Sequence, residues 1–300
     1  LYGELVEHDL PECRKENILC EPVRRNTAPC IAYAMAKIEK RCEDALVLVM
    51  PSDHLIVDKE NFVSRIFQGF RLARREQVLI CLGIKAAYPN TGYGYIQYNM
   101  DVCSQDDCGI KKVKLFTEKP AYEMACSFVE SGDFLWNAGI FIWSLQAIKA
   151  AFVKFLPEIT DVILKGRELL DTDQEEAFVE EAYSICPSIS IDYGIMEKAD
   201  NVYVIPSDFG WSDIGTWGAL YNVMNKDENG NSVVGKNVML YDCTNCLINV
   251  PKDRLLVAQG LDDYIIVESE GVVMMCKKGE EQRIKQFTTD VEIEKGNEYI

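Results

Sequence analysis

Two aspartates in this chain lie where carboxylates commonly hold a metal ion. Asp53 lies in the turn Met50–His54, directly after the apolar run Ala45–Val49, and Asp213 lies in a second turn after Val202–Ile205. Open α/β sheets bind ligands at the carboxyl ends of their strands, so both carboxylates could reach one Mg²⁺ whose other ligands are waters and phosphates. Turn capping is the simpler role for an aspartate in such a position, and spacing alone leaves both roles open.

Two further segments carry polar side chains that suit a phosphorylated ligand. Glu118 and Lys119 end a strand and could bind a sugar hydroxyl and a phosphate, although an exposed ion pair beside a proline is common. Arg25, Asn26 and Thr27 precede a helix, where free backbone N–H groups favour a nucleobase or a phosphate. The same three residues are compatible with an ordinary helix start.

Glycine and aromatic residues mark two other places where a ligand could approach. Gly94 between two tyrosines permits close contact of the backbone with a ligand, or it marks a β-bulge. Asn137 beside Trp136 is consistent with a pocket wall, yet aromatic strands mostly belong to the core. The two histidines, His8 and His54, are too far apart in sequence to indicate a mechanism based on histidine.

The elements that must position these residues alternate between strands and helices. Thr27 can cap a helix that ends near Arg41, and Ala45–Val49 is short and apolar enough to be a parallel strand buried on both faces. Val78–Ile84 is the next buried strand, after a helix with one apolar face. This rhythm is typical of a largely parallel sheet with crossover helices.

The character of the chain changes in its last quarter. Asn225–Asn231 contains three Asn, one Gly and three charged residues and is the best candidate for a linker. From Val233 onward, short β-branched runs alternate with Gly, Asn and Asp turns, which predicts a small all-β domain. We therefore expect a large α/β domain over residues 1–228 and a smaller β domain over residues 229–300.

Charge and composition exclude several classes of protein. The net charge of −17 argues against a nucleic-acid partner, because a broad acidic surface repels a phosphate backbone. No apolar run approaches the ~20 residues that a membrane-spanning helix needs, so we expect a soluble, cytoplasmic protein without a membrane partner. The 12 cysteines lack the spacing of a zinc site, because Cys243 and Cys246 form a lone C-x-x-C. We expect reduced thiols.

Seven ordered segments together resemble the mannose-1-phosphate guanylyltransferases (GDP-mannose pyrophosphorylases) of the sugar-nucleotidyltransferase superfamily. The segments are Glu21–Pro29, Met50–His54, Thr91–Ile96, Phe116–Pro120, Trp136–Phe141, Ser190–Glu197 and Trp211–Trp217. They are distributed over residues 21–217, which is most of the chain, and the Arg-Asn-Thr-Ala-Pro and Trp-Ser-Asp sequences are particular to the mannose branch. The resemblance implies a Rossmann-like, GT-A-like α/β nucleotidyltransferase domain with a mixed, mostly parallel sheet, followed by a small C-terminal left-handed β-helix domain.

The resemblance also implies roles for individual residues. Asp53 and Asp213 would hold the catalytic Mg²⁺, and Lys119 would assist catalysis. The residues near the nucleotide would be Glu21, Arg25, Asn26, Thr27, Pro51 and Ser52. The residues near mannose 1-phosphate would be Tyr93, Gly94, Glu118, Lys119 and Asn137. Asp192 falls in a family motif without an assigned contact.

One segment of the family pattern has no counterpart in this sequence. The family begins with a strand and a loop of the form G-G-x-G-x-R, followed by a lysine, and this loop binds the triphosphate. Nothing before Glu21 matches it. We therefore expect a domain that is incomplete at its N-terminus and inactive without the missing element.

The function that these expectations predict is nucleotidyl transfer. A phosphate oxygen of mannose 1-phosphate would attack the α-phosphorus of GTP and release pyrophosphate, forming GDP-mannose for polysaccharide biosynthesis, with Mg²⁺ as the cofactor. One alternative is a transferase for another sugar phosphate or base, and a second is a non-catalytic homologue that binds sugar nucleotides. The predicted β-helical tail would be compatible with a homodimer.

Overall fold

The structure is a computed structural model that describes residues 2–104 and 107–299. Within them the chain divides into two compact units. The first contains the residues up to Ser52 together with Ile56–Trp211, and the second contains Asp53–Leu55 together with the residues from Ser212 onward. The predicted domain ranges also include four residues that lie outside the described residues, namely Leu1, Gln105, Asp106 and Ile300. The predicted boundary between residues 228 and 229 stays a prediction.

Helices and strands alternate along the first unit. Its helices are α1 (Gly3–Asp9), α2 (Thr27–Arg41), α3 (Lys59–Arg75), α4 (Tyr122–Ser131), α5 (Leu145–Phe155), α6 (Pro157–Ile159) and α7 (Glu175–Ile185). The strands up to its end are β1 (Leu46–Val49), β2 (Leu55–Ile56), β3 (Leu79–Lys85), β4 (Tyr95–Ser104), β5 (Asp107–Thr117), β6 (Phe134–Ser144), β7 (Val202–Ser207) and β8 (Trp211–Ser212). The short strands β2 and β8 lie where the chain passes from one unit to the other.

The first unit contains a six-stranded mixed sheet in the order β1-β6-β3-β7-β5-β4. β3 and β7 are parallel neighbours, whereas β6 is antiparallel to β1, β3 and β4, and β5 is antiparallel to β4 and β7. The predicted mixed sheet of a Rossmann-like α/β domain is confirmed. Parallel neighbours are nevertheless the minority among the described pairs, because β5 and β6 run against the other strands and are inserted between them.

Strand β1 differs from the sequence prediction in its burial and its pairing. All of its residues are half-buried rather than buried on both faces, and β6 pairs with them in antiparallel register. In the part of the chain that the structure describes, β6 is the one neighbour of β1 in the sheet. The outer edge of β1 therefore lacks the covering strand that full burial requires.

Apolar side chains pack on both faces of the sheet. Successive residues of β3 point to opposite faces, so Leu79 and Cys81 belong to a cluster with residues of α2, α5 and α7, whereas Ile80 and Leu82 belong to a cluster with residues of α3. All four are fully buried. The helices on the two faces therefore hold the sheet, and with it the strand ends that carry the candidate polar residues.

The second unit consists mainly of short strands. Its strands and helices are α8 (Trp217–Val223), β9 (Ser232–Val234), β10 (Asn237–Tyr241), β11 (Leu247–Asn249), β12 (Leu255–Gln259), β13 (Tyr264–Ser269), β14 (Val272–Lys277) and α9 (Ile284–Lys295). β11 pairs in parallel with both β9 and β13, and β10 pairs in parallel with β12. Parallel pairing between strands so close in sequence indicates a chain that coils repeatedly in one direction.

Helix α9 contradicts the prediction of an all-β tail. Ile284, Phe287 and Val291 recur at helical spacing, and Ile284 and Phe287 pack against the cluster that contains Leu247 and Ile265. The helical spacing is short and follows a segment dominated by β-branched runs, so the prediction extended the β pattern too far.

Two findings concern the described residues as a whole. None of their helices combines the length and the apolar character needed to cross a membrane. Several cysteines are free thiols in the interior, namely Cys81, Cys186, Cys243, Cys246 and Cys276. A buried free thiol behaves as a small hydrophobic side chain.

Candidate functional site

Three strands of the first unit bring together the residues predicted to bind a sugar phosphate. Gly94 directly precedes β4, Glu118 and Lys119 directly follow β5, and Asn137 lies within β6. The Asn137 N–H donates to the carbonyl of Gly94 (2.8 Å), and the Lys119 N–H donates to the carbonyl of Tyr93 (3.2 Å). Because β4 pairs with both β5 and β6, the sheet itself sets the spacing of these residues.

Glu118 and Lys119 form an ion pair of 2.6 Å between Oε1 and Nζ. The Glu118 side chain is only 10% exposed, and its second oxygen, Oε2, has no hydrogen-bond partner among the described residues. Partial burial by itself would lower the pKa of Lys119, but the hydrogen bond and the charge of Glu118 raise it overall. The pair thus combines a lysine that stays protonated with a buried acceptor that is not satisfied.

Glycine at position 94 is required by the space beside Glu118. A Cβ atom there would lie 2.3 Å from Glu118 Oε2, so a larger residue would displace the buried carboxylate. Tyr93 packs edge-on against Trp136 and Trp211, with ring centroids 5.2 and 5.4 Å apart. Tyr93 and Trp136 are buried in one apolar cluster, and Trp211 packs against it.

The structure adds Asp192 to this group. Asn137 Nδ2 donates to Asp192 Oδ1 (2.8 Å), and Asn137 Oδ1 accepts from the N–H of Gly139 (3.1 Å). Burial raises the pKa of Asp192 to about 6, and the charge of nearby Glu118 acts in the same direction. We call Gly94, Glu118, Lys119, Asn137 and Asp192 the strand-end cluster.

Sequence reasoning did not find the contact of Asp192 because that contact depends on tertiary structure. Asp192 begins a π-helical turn, Asp192–Met196, within a segment that the sequence predicts only as a short helix. Residue spacing does not show which distant strand such a turn will face. The one signal in the sequence is the family motif that contains the residue.

Glu21 lines a cavity of about 580 Å³ in the first unit. Residues in and before α7, including Asp173, Glu176 and Val179, form another part of its wall. Glu21 Oε1 is buried and has no hydrogen-bond partner in the described part of the chain. Burial raises the pKa of Tyr183, and the charge of nearby Glu21 adds to that effect. Glu21 therefore brings a carboxylate to the wall of this cavity, and one of its two oxygens lacks a hydrogen-bond partner among the described residues.

Arg25 contacts the C-terminal end of α7. Its guanidinium donates to the carbonyls of Tyr183 (from Nε, 2.9 Å) and Ser184 (from Nη2, 3.0 Å). A cation at this end of a helix satisfies carbonyls that have no partner within the helix, and it interacts favourably with the helix dipole. The observed contacts of Arg25 are thus structural, and its predicted contact with a nucleotide stays a prediction.

Thr27 does not cap α2 as the sequence predicts. The N-cap is Asn26, whose Oδ1 accepts from the Thr27 N–H (2.9 Å) and whose backbone has a φ of 67°. Thr27 Oγ1 accepts instead from the N–H of Ile191 (2.8 Å), directly before Asp192. Tertiary contact therefore overrides the local capping preference, and Thr27 ties the start of α2 to the strand-end cluster.

The other residues predicted near the nucleotide follow strand β1. Pro51 is half-buried and Ser52 is exposed. Their location after a strand agrees with the sequence analysis, and their predicted contacts with a nucleotide stay predictions.

The two predicted metal ligands lie in the second unit, which also contains His54. His54 Nε2 is 4.0 Å from Asp53 Oδ1. Burial lowers the pKa of His54, and the charges of Asp53 and Asp213 oppose that effect. Two aspartates that are far apart in sequence therefore both favour the protonated form of one imidazole.

Asp213 also stabilises its own turn. Its Oδ1 accepts from the N–H of Gly215 (3.1 Å), while Ile214 between them has a φ of 48°. A positive φ is costly for a β-branched residue and is found mostly where the surroundings enforce it. Since a carboxylate has two oxygens with several acceptor sites, capping the turn does not prevent Asp213 from binding a cation.

The donor atoms of Asp53 and Asp213 suit a hard divalent cation. Carboxylate oxygens are ligands that Mg²⁺ prefers, and this ion usually takes one or two of them together with waters and substrate phosphates. The Asp53 side chain is 84% exposed and so is accessible to a ligand. Among the described residues, no group of three or more His, Cys, Asp or Glu side chains could hold a metal by itself. Two carboxylates match the number of protein ligands that Mg²⁺ usually takes.

Known proteins resemble the chain over most of its length. The nucleotidyl transferase family matches residues 4–230. A mannose-1-phosphate guanylyltransferase from Salmonella montevideo is 34% identical over 301 residues, which cover 99% of this chain and 63% of the relative. An alginate biosynthesis protein, AlgA, from Pseudomonas putida is 34% identical over 286 residues, which cover 94% of this chain and 58% of the relative. The chain thus spans about three fifths of the length of these curated relatives.

Solved structures extend the comparison to the fold. A Thermus thermophilus structure described as a mannose-1-phosphate geranyltransferase has a TM-score of 0.79 and 25% identity, covering 97% of this chain and 89% of that one. A Helicobacter pylori structure described as a mannose-6-phosphate isomerase has a TM-score of 0.57 and 26% identity, covering 70% of this chain and 80% of that one. Because the family match extends over more than half of the sequence, the chain belongs to the nucleotidyl transferase family.

Proposed function

We propose that the protein transfers GMP from GTP to α-D-mannose 1-phosphate, giving GDP-mannose and pyrophosphate. A phosphate oxygen of the sugar phosphate bonds to the α-phosphorus of GTP, and the bond from that phosphorus to the pyrophosphate oxygen breaks in line with it. The attacking oxygen is already anionic, so the protein need not provide a nucleophile. Its residues mainly align the substrates and balance their charge. The name of the Salmonella montevideo relative supports this choice of substrates.

The observation that carries the proposal is the strand-end cluster. Lys119 offers a positive charge for a phosphate group, and Glu118 Oε2 offers an acceptor for a sugar hydroxyl. The Asn137 amide has a second N–H besides the one donated to Asp192. A small ligand with one phosphate and several hydroxyl groups complements this set. We propose that Gly94, which leaves room for the Glu118 carboxylate, and Tyr93 both lie beside the sugar phosphate.

The cavity beside Glu21 is the proposed site of the guanine base. Guanine carries N1–H and 2-amino donors on one edge, and a carboxylate can accept both. Adenine has an acceptor at N1, so a carboxylate in this place favours GTP over ATP. The volume of about 580 Å³ lies within the range of small-molecule pockets. The other residues that we propose near the nucleotide are Asn26, Thr27, Pro51 and Ser52, whereas Arg25, next to Asn26 in sequence, is proposed to act through the end of α7 that its guanidinium binds.

Asp53 and Asp213 are the residues proposed to hold Mg²⁺. When bound, the cation would supply positive charge for the phosphate oxygens of GTP. Lys119 is the proposed cation of the protein itself, and it would balance charge on the sugar phosphate. The acidic character of the chain as a whole, with a net charge of −17, makes such local positive charges necessary for a reaction between two anions.

A substrate panel tests the proposal. The full-length protein with Mg²⁺ is given GTP, ATP or UTP, each with mannose 1-phosphate or glucose 1-phosphate, and the release of pyrophosphate is measured. We expect the highest kcat/KM for GTP with mannose 1-phosphate. Preference for another pair would replace these substrates within the same reaction class. Binding of sugar nucleotides without pyrophosphate release from any pair would show a non-catalytic homologue.

Replacement of the two aspartates tests the proposed metal ligands. Asp53→Asn and Asp213→Asn keep the size of each side chain but remove its charge, so we expect kcat to fall by about 100-fold or more. The exposed Asp253, on the loop before β12, offers the matched control Asp253→Asn, which should keep the parental kcat. Circular dichroism should show the parental fold in all three variants. Parental activity of either site variant would contradict the metal assignment.

Three finer features belong to the same proposal. We propose that the parallel strands of the second unit form a left-handed β-helix. The paired residues Leu247 and Ile265 are 18 positions apart, and this offset supports the proposal because it equals three hexapeptide repeats of a β-helix. We also propose a homodimer and a cytoplasmic location. The buried free thiols agree with a reducing compartment.

A further inference from the structure

The turn Asp192–Met196 and the residue that follows it contact the strand-end cluster at two points. Asp192 Oδ1 accepts from Asn137 Nδ2 (2.8 Å), as described above. Glu197 Oε1 accepts from the backbone N–H of Glu118 (3.0 Å). Two carboxylates from one short segment therefore hold β6, which carries Asn137, and the turn directly after β5, which carries Glu118 and Lys119.

The contact of Glu197 fixes a turn that is strained. Lys119 has a φ of 47°, in the left-handed region that residues with a side chain rarely adopt. The Glu118 N–H lies one residue before this strained position, and its bond to Glu197 resists relaxation of the turn. If the turn relaxed, Lys119 Nζ and Glu118 Oε2 would both change place.

The contact of Asp192 fixes the orientation of the Asn137 amide. With Nδ2 bound to Asp192 and Oδ1 bound to the N–H of Gly139, the amide has one orientation that satisfies both partners. The second N–H of Nδ2 is then held in a defined direction. Without Asp192, the Asn137 amide could turn over, so that Nδ2 and Oδ1 exchange positions.

The segment that carries the two acids is itself anchored. The N–H of Ile191 donates to Thr27 Oγ1 (2.8 Å), and the N–H of Ala28 donates to the carbonyl of Ile189 (3.1 Å). Ile191 and Ile195 are buried in the core. Asp192 and Glu197 therefore project from a segment that is bonded to the start of α2 and buried in the core, which suits residues that position other groups.

A separate observation indicates that the held groups face a ligand. Glu118 is nine-tenths buried, yet its Oε2 has no partner among the described residues. A buried carboxylate oxygen without a hydrogen bond is costly for the folded protein. Such an atom is satisfied when a ligand donates to it, and a sugar hydroxyl is a suitable donor.

We propose that Asp192 and Glu197 are positioning residues for the sugar 1-phosphate: Asp192 orients the Asn137 amide, and Glu197 holds the Glu118–Lys119 turn. This inference rests on the proposed function insofar as a sugar 1-phosphate is the ligand of the strand-end cluster. Neither residue needs to touch the ligand. Their effect is on the affinity for the sugar phosphate, whereas the nucleotide contacts other residues.

Steady-state kinetics of the full-length protein test the inference. We expect Asp192→Ala and Glu197→Ala each to raise KM for the sugar 1-phosphate about tenfold, the effect of roughly one hydrogen bond, with KM for the nucleotide changed less than about twofold. Asp192→Asn and Glu197→Gln keep an acceptor oxygen and should restore most of the affinity. Asp200→Ala removes an exposed acid from the same segment and should behave as the parent protein. Equal changes in both KM values, or no rescue by the amide variants, would overturn the positioning role.

A measurement without substrate separates this inference from the proposed function. Hydrogen exchange of the Glu118 N–H should be faster in Glu197→Ala than in the parent and in Asp200→Ala, because the bond that protects it is lost. Unchanged exchange overturns the inference whatever reaction the protein catalyses. If the substrate panel shows no transfer at all, the proposed function fails, and exchange still decides whether Glu197 holds the turn.

Discussion

The carboxyl group of Asp192 is buried beside a second acid, and both conditions favour its protonated form. Its pKa is raised from 3.8 to about 6, chiefly by burial and then by the charge of Glu118. Between these two values the folded protein binds more protons at this site than the unfolded chain does. A rise in pH through this window therefore lowers the free energy of unfolding, and the loss is nearly complete about half a unit above the folded pKa.

Asp192→Asn should remove this pH dependence. A pKa shift of about two units corresponds to roughly 3 kcal/mol of free energy of unfolding. Asp192 is only partly buried by its surface area, so solvent screening should reduce this contribution to roughly 1–2 kcal/mol. The free energy of unfolding of the variant minus that of the parent should rise by this amount between about pH 4 and pH 6.5, then stay level. Urea denaturation at a series of pH values measures the difference. A difference that is constant with pH, or an equal trend in Asp200→Asn, would contradict the assignment.

Individual residues show what a sequence can and cannot predict about a site. The motifs around Gly94, Glu118, Lys119 and Asn137 predict a common site, and the sheet brings these residues together through backbone bonds between strands. The bond from Asn137 to Asp192 joins residues 55 positions apart and has no local signature. The local sequence predicts which polar residues lie at the ends of strands. The turn that contacts those residues is determined by tertiary packing, so the local sequence does not predict it.

Among the helices, α7 depends on a side chain from outside its own segment. Arg25 donates to two carbonyls at its C-terminal end, and hydrogen bonds from a charged donor typically contribute about 1.5–3 kcal/mol. We expect Arg25→Ala to lower the free energy of unfolding by roughly 1–2 kcal/mol, because water replaces part of the lost bonding. KM for GTP should change less than about threefold. Urea denaturation and steady-state kinetics measure these two quantities.

Arg24→Ala is the matched control for this experiment. Arg24 is exposed and directly precedes Arg25, so its removal changes the net charge equally without affecting the end of α7. If Arg25→Ala raised KM for GTP strongly while leaving stability unchanged, Arg25 would bind the nucleotide as the sequence predicts. The capping role would then be secondary.

The sequence predicts the elements better than their surroundings. The apolar stripe of α2 and the apolar run of β3 identify both elements because local periodicity fixes them. The run Leu46–Val49 also predicts a strand correctly, but its burial depends on how many neighbours the strand has in the sheet. α9 was missed because three apolar residues at helical spacing are a weak signal after a long β pattern. Local pattern gives the type of an element, and only the complete topology gives its burial.

For the whole molecule the dominant physical property is its acidity. The chain has 48 acidic and 31 basic residues, and such an excess of one sign destabilises a compact state through repulsion. Some acids are balanced locally, as in the contact of the buried Lys37 with Asp171 and Glu175. Because acids outnumber bases, such pairing cannot balance all of them, and the repulsion among the exposed acids should respond to the ionic strength of the solution.

Salt should therefore stabilise this protein near neutral pH. A rise in NaCl from about 10 mM to about 150 mM shortens the screening length from roughly 30 Å to roughly 8 Å, which weakens repulsion between distant exposed acids more than attraction in close buried pairs. We expect the free energy of unfolding, measured with urea because it is uncharged, to increase by roughly 1 kcal/mol over this range and to change little at higher concentrations. Near pH 5 the net charge is small, since the isoelectric point is about 4.6, and the same addition of salt should then have little effect. If salt lowered the free energy of unfolding near neutral pH, or changed it equally at both pH values, long-range repulsion among exposed acids would not limit the stability of this protein.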